Sequence, residues 1–123
     1  MRERLINFEC AKLASLKGFN EYTEMGYDNQ GRLSYPHYGS SFRNSDWDNS
    51  INYSAPTITL LQKWLREEHK IDVFANSVRF TGYIEIGYYT YSVLGITPIK
   101  NYRFDTYEEA LEIALIEGLK LIL

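Results

Sequence analysis

Residues 57–94 read TITLLQKWLREEHKIDVFANSVRFTGYIEIGYYTYSVL, and the change of period inside this stretch decides the fold. In its first part Ile58, Leu61, Trp64 and Leu65 recur at helical spacing, with Leu60 at the flank. Ser54 or Thr57 is suited to cap this helix, and Pro56 fits a first turn. Lys63, Arg66 and Lys70 lie on the other side with Glu67 among them, an ordinary solvated face of mixed charge. After His69 the period becomes two: Ile71, Val73 and Ala75 alternate, followed by Val78 and Phe80. Gly82 offers a tight turn, and residues 83–94 read as a long returning strand. Its alternation slips near Gly87, with Ile84 and Ile86 on one face and Tyr89, Tyr91 and Val93 on the other. A glycine at such a slip predicts a bulge. Residues 96–99 suggest a short strand that Pro98 confines to an edge.

Working outward, the C-terminal stretch opens at Asp105 or Thr106 with the capping box Thr106-Tyr107-Glu108-Glu109. Tyr107, Ala110, Leu111, Ala114, Leu115, Gly118, Leu119 and Ile122 then form one apolar stripe, which Ile113, Ile116 and Leu123 widen. That width predicts either a helix deep in the fold or one whose outer side meets a second copy. At the other end, a helix is expected from about Asn7 to Lys17. Asn7 caps it, and Phe8, Cys10, Ala11, Leu13, Ala14 and Leu16 make a broad apolar face. Gly18 takes the left-handed stop position and Phe19 folds back on the last turn. Residues 21–27 and 33–35 flank Asp28-Asn29-Gln30-Gly31 and read as a hairpin. Residues 36–54 are rich in Ser, Asn, Asp and Gly yet hold Tyr38, Phe42, Trp47, Ile51 and Tyr53. Aromatics at that density argue for an ordered loop, and long ordered loops are often functional.

The sum is an α+β chain: a small antiparallel sheet packed with about three helices, in the order α-β-β-α-β-β(-β)-α. At 123 residues, with no repeat or low-complexity tract, a single domain spanning 1–123 is expected. No run approaches the ~18 apolar residues of a membrane span, and the opening residues form no apolar signal core, so a cytoplasmic location is expected. The lone Cys10 falls in an apolar helical pattern and reads as a buried structural thiol.

Composition weighs on the partner. Net charge is −3, and five acids against one base follow residue 104. A nucleic-acid binder would have to build its positive footprint against that sign. Tyrosines number 11, phenylalanines 6 and tryptophans 2. Aromatics in this number suit half-buried strands first and interfaces second. Tyr83, Tyr88, Tyr89 and Tyr91 could form the aromatic half of a single-stranded nucleic-acid platform, but interleaved cations are missing from residues 80–99.

Catalytic signals are weak. His37 and His69 stand 32 residues apart with no metal-ligand spacing, so no metal or cofactor is called for. His69, in a last helical turn, is explained by the negative end of the dipole. Nucleophile elbows and phosphate-cradling loops are absent from the sequence. A site built from His37, Asp46 or Asp48 and a loop serine has no pattern to support it.

Three segments carry a resemblance. APTITLLQKWLREEHKI (55–71) is similar to the signature APT-x-x-LLQKWLRE-x-H of small proteins encoded by bacteriophages and prophage regions of gut Bacteroidales. INFECAKLASLKGF (6–19) resembles their INFE-x-AKLA-x-x-KGF opening, and FDTYEEALEIALIEGLKLI (104–122) their Y-x-x-YEEALE-x-x-L-x-E-LKLI close. The resemblance implies a phage or mobile-element origin and a bacterial cytoplasm, and it carries no catalytic residue or cofactor. The leading expectation is a non-enzymatic accessory protein, homodimeric, binding another protein through Tyr38, Trp47, Tyr53, Tyr89 and Tyr91. The alternative is a nucleic-acid-associated protein using Arg43, Lys63, Arg66 and Lys70, and the third a small enzyme without a recognisable motif.

Overall fold

The computed structural model describes residues 4–34, 43–44, 53–80, 86–94 and 104–122. Among these residues three helices and two small antiparallel sheets make an α+β fold. By contacts the chain divides into two compact units, Met1–Leu61 with Leu123 and Gln62–Ile122, the division falling inside the second helix.

In the first unit, helix α1 (Phe8–Leu16) begins where Asn7 is extended and its side-chain oxygen accepts from the Cys10 N–H at 2.8 Å. It ends as the glycine predicts. Gly18 adopts φ +95°, its N–H donates to Ser15 O, and the Phe19 N–H reaches back to Ala14 O at 2.9 Å. These two bonds satisfy carbonyls that the last turn leaves open, and Phe19 is buried beneath them. Cys10, Ala11 and Ala14 are the buried face. The expected face was too wide: Leu16 is 79% exposed. At about 100° per residue it lies opposite the direction of Cys10 and Ala14.

Strands β1 (Gly26–Tyr27) and β2 (Leu33–Ser34) form the expected hairpin, with shorter arms. Asp28 builds the turn. Its N–H donates to Arg32 O, its carbonyl accepts from Gly31 N–H, and its carboxylate accepts from the N–H groups of Gln30 and Arg32. Gly31 supplies φ +85° there, closing a three-residue loop. The long loop was expected to run through Tyr53 and Ser54, with Ser54 a possible cap. Instead both form β3 (Tyr53–Ser54), antiparallel to β1 on its other side, giving the order β2-β1-β3. The cap belongs to Thr57, whose Oγ1 accepts from the Leu60 N–H at 3.2 Å. Residues 4–6 run beside the helix start: the Ile6 N–H donates to Pro56 O and the Ile58 N–H to Arg4 O, both at 3.0 Å.

Helix α2 (Ile58–His69) buries Ile58, Leu61, Trp64 and Leu65, as its spacing predicts. In the second unit it ends on a lysine in the left-handed region, Lys70 at φ 58°, where the Ile71 N–H returns to Leu65 O. Strands β4 (Val73–Phe80) and β5 (Ile86–Val93) pair antiparallel in one register, from Val73 opposite Val93 to Phe80 opposite Ile86. Arg79 faces Gly87 with no extra residue on either strand, so the bulge expected at Gly87 does not form. Tyrosine suits either face of a sheet, and a run of tyrosines blurs the period on which that expectation rested. The strand expected at 96–99 lies outside the described residues. Phe104 forms a bridge on the far edge of β5, exchanging two 2.9 Å bonds with Tyr89. Among the described residues the strands fall into two small antiparallel sheets, β2-β1-β3 and β4-β5.

Helix α3 (Tyr107–Lys120) is capped by Thr106, whose Oγ1 accepts from the Glu109 N–H at 3.2 Å. It packs on β4 and β5 with Ala110, Leu111, Ala114, Leu115, Gly118 and Leu119 buried. At Gly118 an added Cβ would lie 2.9 Å from Val73 Cγ1. Ile116 and even Glu112 are buried too, so burial within one chain accounts for the wide apolar surface of this helix. Tyr107, expected at the head of the stripe, is instead exposed. Among the described residues no helix is long and apolar enough to cross a membrane.

Candidate interaction surface

The candidate aromatics have different fates. Tyr38 and Trp47 lie outside the described residues. Tyr53 is half-buried in β3, with its ring 5.8 Å from that of Phe8, which also meets Tyr27 at 5.6 Å. Tyr53 therefore helps to fasten α1 to the first sheet.

Tyr89 and Tyr91 share one face of β5, since side chains alternate along a strand. Ala75, the partner of Tyr91 across the sheet, belongs to the same set as Val73, which meets α3 at Gly118. Tyr91 is buried with its ring 6.2 Å from Phe104 and belongs to the core of its unit. Tyr89 is half-buried, and its ring meets that of Tyr107 edge-on at 6.2 Å and 85°. Such geometry sets the positive edge of one ring against the negative face of the other. The backbone bonds between Tyr89 and Phe104 hold the strand side of this group, and the Thr106 cap holds the helix side.

Tyr91, Phe104, Tyr89 and Tyr107 thus run from the core to the surface, with Tyr107 outermost at 42% exposure. Asp105, Glu108 and Glu109 beside it are all exposed. Neither Phe104 nor Tyr107 was singled out from sequence as a surface residue. The signal available was the position of Tyr107 at the first residue of a helix, between acids, where much of the circumference faces solvent.

The alternative set of cations is divided between the two units. Lys63, Arg66 and Lys70 are exposed along α2, and the Lys70 ammonium donates to Glu67 O at 3.3 Å. Arg43 belongs to the other unit, where its guanidinium lies 5.0 Å from the ring centre of the exposed Tyr22. His37 lies outside the described residues, whereas His69 packs edge-on against Trp64 at 4.7 Å. Cys10 is buried. Among the described residues no three His, Cys, Asp or Glu side chains are grouped to hold a metal ion. Asp28 has its carboxyl held below the usual aspartate range, first by the Arg32 N–H, then by the Gln30 N–H and the Arg32 guanidinium. Those bonds build the hairpin turn, so the shift has a structural cause.

Fold and surface define a small α+β chain carrying a half-exposed aromatic group where β5 meets the start of α3. Comparison with protein-family models, with curated proteins and with solved structures found no match.

Proposed function

We propose that this chain is a non-enzymatic protein-interaction module, an accessory protein of phage or mobile-element origin, and that the aromatic group around Tyr89 and Tyr107 meets its partner. The observation that carries this is the exposure of Tyr107 while its ring is held by Tyr89. A large ring kept in place before binding loses little side-chain freedom when a partner covers it, which is why tyrosine is enriched at interfaces. The resemblance to small phage and prophage proteins supports an accessory role in a bacterial cytoplasm.

Photo-cross-linking tests this reading. A benzoylphenylalanine placed at Tyr107 is expected to give a discrete protein adduct in host cells. The same group at Leu16, also exposed, is expected to give none. Equal labelling from both positions, or adducts only with nucleic acid, would count against the module. The last outcome would favour the second reading, in which Lys63, Arg66 and Lys70 on the exposed side of α2 contact phosphates.

A further inference from the structure

Among the described residues β4 has one strand neighbour, β5, in a register that alternates pairs exchanging backbone hydrogen bonds with pairs that do not. Three contacts fix which residues of β4 turn outward. The Leu94 N–H donates to Asp72 O at 2.7 Å, so Asp72 turns toward β5. Tyr89, opposite Ser77, bonds through both its backbone groups to Phe104 on the other side. Val73 O accepts from the side-chain amide of Gln62 at 2.7 Å. The N–H and C=O of Ala75, Ser77 and Arg79 therefore point away from β5. Among the described residues the two groups of the half-buried Ala75 meet no partner.

A bare row of amides and carbonyls templates another strand, so exposed edges are normally guarded by prolines, lysines or bulges. Strand β4 reads VFANSVRF, with neither proline nor lysine, and pairs with β5 along its whole length without a bulge. Beside the open row Phe74 is 38% exposed. The far edge of β5 differs, since Phe104 already bonds to it at Tyr89. A sheet with a single open edge, met by an identical sheet, closes as a two-fold pair, whereas two open edges would allow a growing fibre. We infer that a second copy of this chain covers this edge, the two β4 strands pairing antiparallel about a two-fold axis at Ser77. In that register Ser77 bonds to its own counterpart and Ala75 to Arg79, while the Val73 carbonyl held by Gln62 is left out. An axis at Asn76 would set Arg79 opposite Val73, whose carbonyl is already taken. The pairing goes beyond the interaction reading above, which concerns the other strand of this sheet, and does not depend on it.

Sedimentation equilibrium and amide hydrogen exchange of the full chain test this. On dilution the mass is expected to fall from twice 14.4 kDa to 14.4 kDa. Over the same range the Ala75 and Ser77 amides pass from slow to fast exchange, while those of Phe74 and Asn76, bonded to β5, stay slow. Ser77→Pro removes an outward N–H and spares the ladder to β5, so it is expected to be a monomer with the Phe74 and Asn76 amides still slow. Should the variant lose that protection it has unfolded, and the dilution series of the parent chain decides. A dimer that persists in folded Ser77→Pro, or one whose Ala75 and Ser77 amides exchange fast, would place the interface elsewhere and overturn the inference. A monomer at every concentration would overturn it too: fast exchange at those amides leaves the edge to a strand of another protein, and slow exchange means that the chain covers its own edge. Species growing past the dimer would show that the pairing does not close, and would equally overturn it.

Discussion

Gly118→Ala sets two known effects against each other. Inside a helix, alanine is favoured over glycine by about 0.5–1 kcal/mol, so α3 alone predicts a more stable protein. Packing predicts the reverse. The new Cβ would lie 2.9 Å from Val73 Cγ1 and 3.4 Å from both Ile71 Cγ2 and Leu65 Cδ1. Ordinary carbon contacts sit near 3.5–4.0 Å, so the first neighbour must retreat by roughly half an ångström or more. Val73 is fully buried, branched at Cβ and locked into β4 opposite Val93, so it cannot swing aside as a flexible chain end would. Overpacking of this kind costs about 1–3 kcal/mol, leaving a net loss of about 1 kcal/mol after the helix gain. Val73→Ala removes the obstacle at a cost of about 2 kcal/mol in burial and cavity. In the double variant the alanine methyl enters vacated space, and the two changes should couple favourably by about 1–2 kcal/mol. Urea midpoints followed by circular dichroism, at unchanged m, give all four stabilities. If Gly118→Ala is more stable than the parent and the pair is additive, α3 does not approach β4 at this point and the packing argument fails.

Other expectations follow from single contacts. Lys70→Gly should stabilise the protein by about 0.5–1 kcal/mol, since it relieves a left-handed side chain at φ 58° against a smaller loss from glycine's freedom when unfolded; a lower thermal midpoint would refute this. Asn44 donates to Phe19 O at 2.6 Å and accepts from the Ser54 N–H at 2.7 Å, so Asn44→Ala should cost about 1–3 kcal/mol and speed hydrogen exchange at the Ser54 amide. Unchanged exchange there would mean that the bridge is not formed. Because the folded-state pKa of Asp28 is lowered, the stability it contributes is fully present above the pKa of an unfolded aspartate. It is lost as the pH falls through the lower folded value. Asp28→Asn should therefore flatten the acid limb of the stability profile, which urea midpoints across a pH series would show.

Much of the fold was legible because its signals are local. Asn7, Thr57 and Thr106 cap helices, Gly18 and Gly31 take left-handed positions, and the α2 stripe is buried as spaced. Features set by distant partners were not. Strand β3 has two residues, too few to show a period, and exists because β1 has a second edge to satisfy. Asn44 looks like any polar loop residue, yet its amide joins the end of α1 to β3. Lys70 and Leu94 take backbone conformations that usually announce themselves as glycine. In the candidate surface, Tyr89 and Tyr91 were both visible as strand tyrosines. Which of them faces outward depends on Phe104 and Tyr107, whose places are set by a bridge and a helix cap rather than by alternation.

The run of residues 4–6 beside the start of α2 bears on the order of folding. During synthesis Arg4 and Ile6 leave the ribosome about fifty residues ahead of Pro56 and Ile58, their hydrogen-bonding partners. Closing a loop of that length carries an entropic cost that local helices and hairpins avoid. Helix α1 and the β1–β2 hairpin can therefore form early. The Ile58 N–H, one of the open donors at the head of α2, gains its acceptor only once that closure is made. A chain stalled before residue 56 would lack both backbone partners of this run, so the seam between residues 4–6 and the head of α2 is among the last parts of its unit to close.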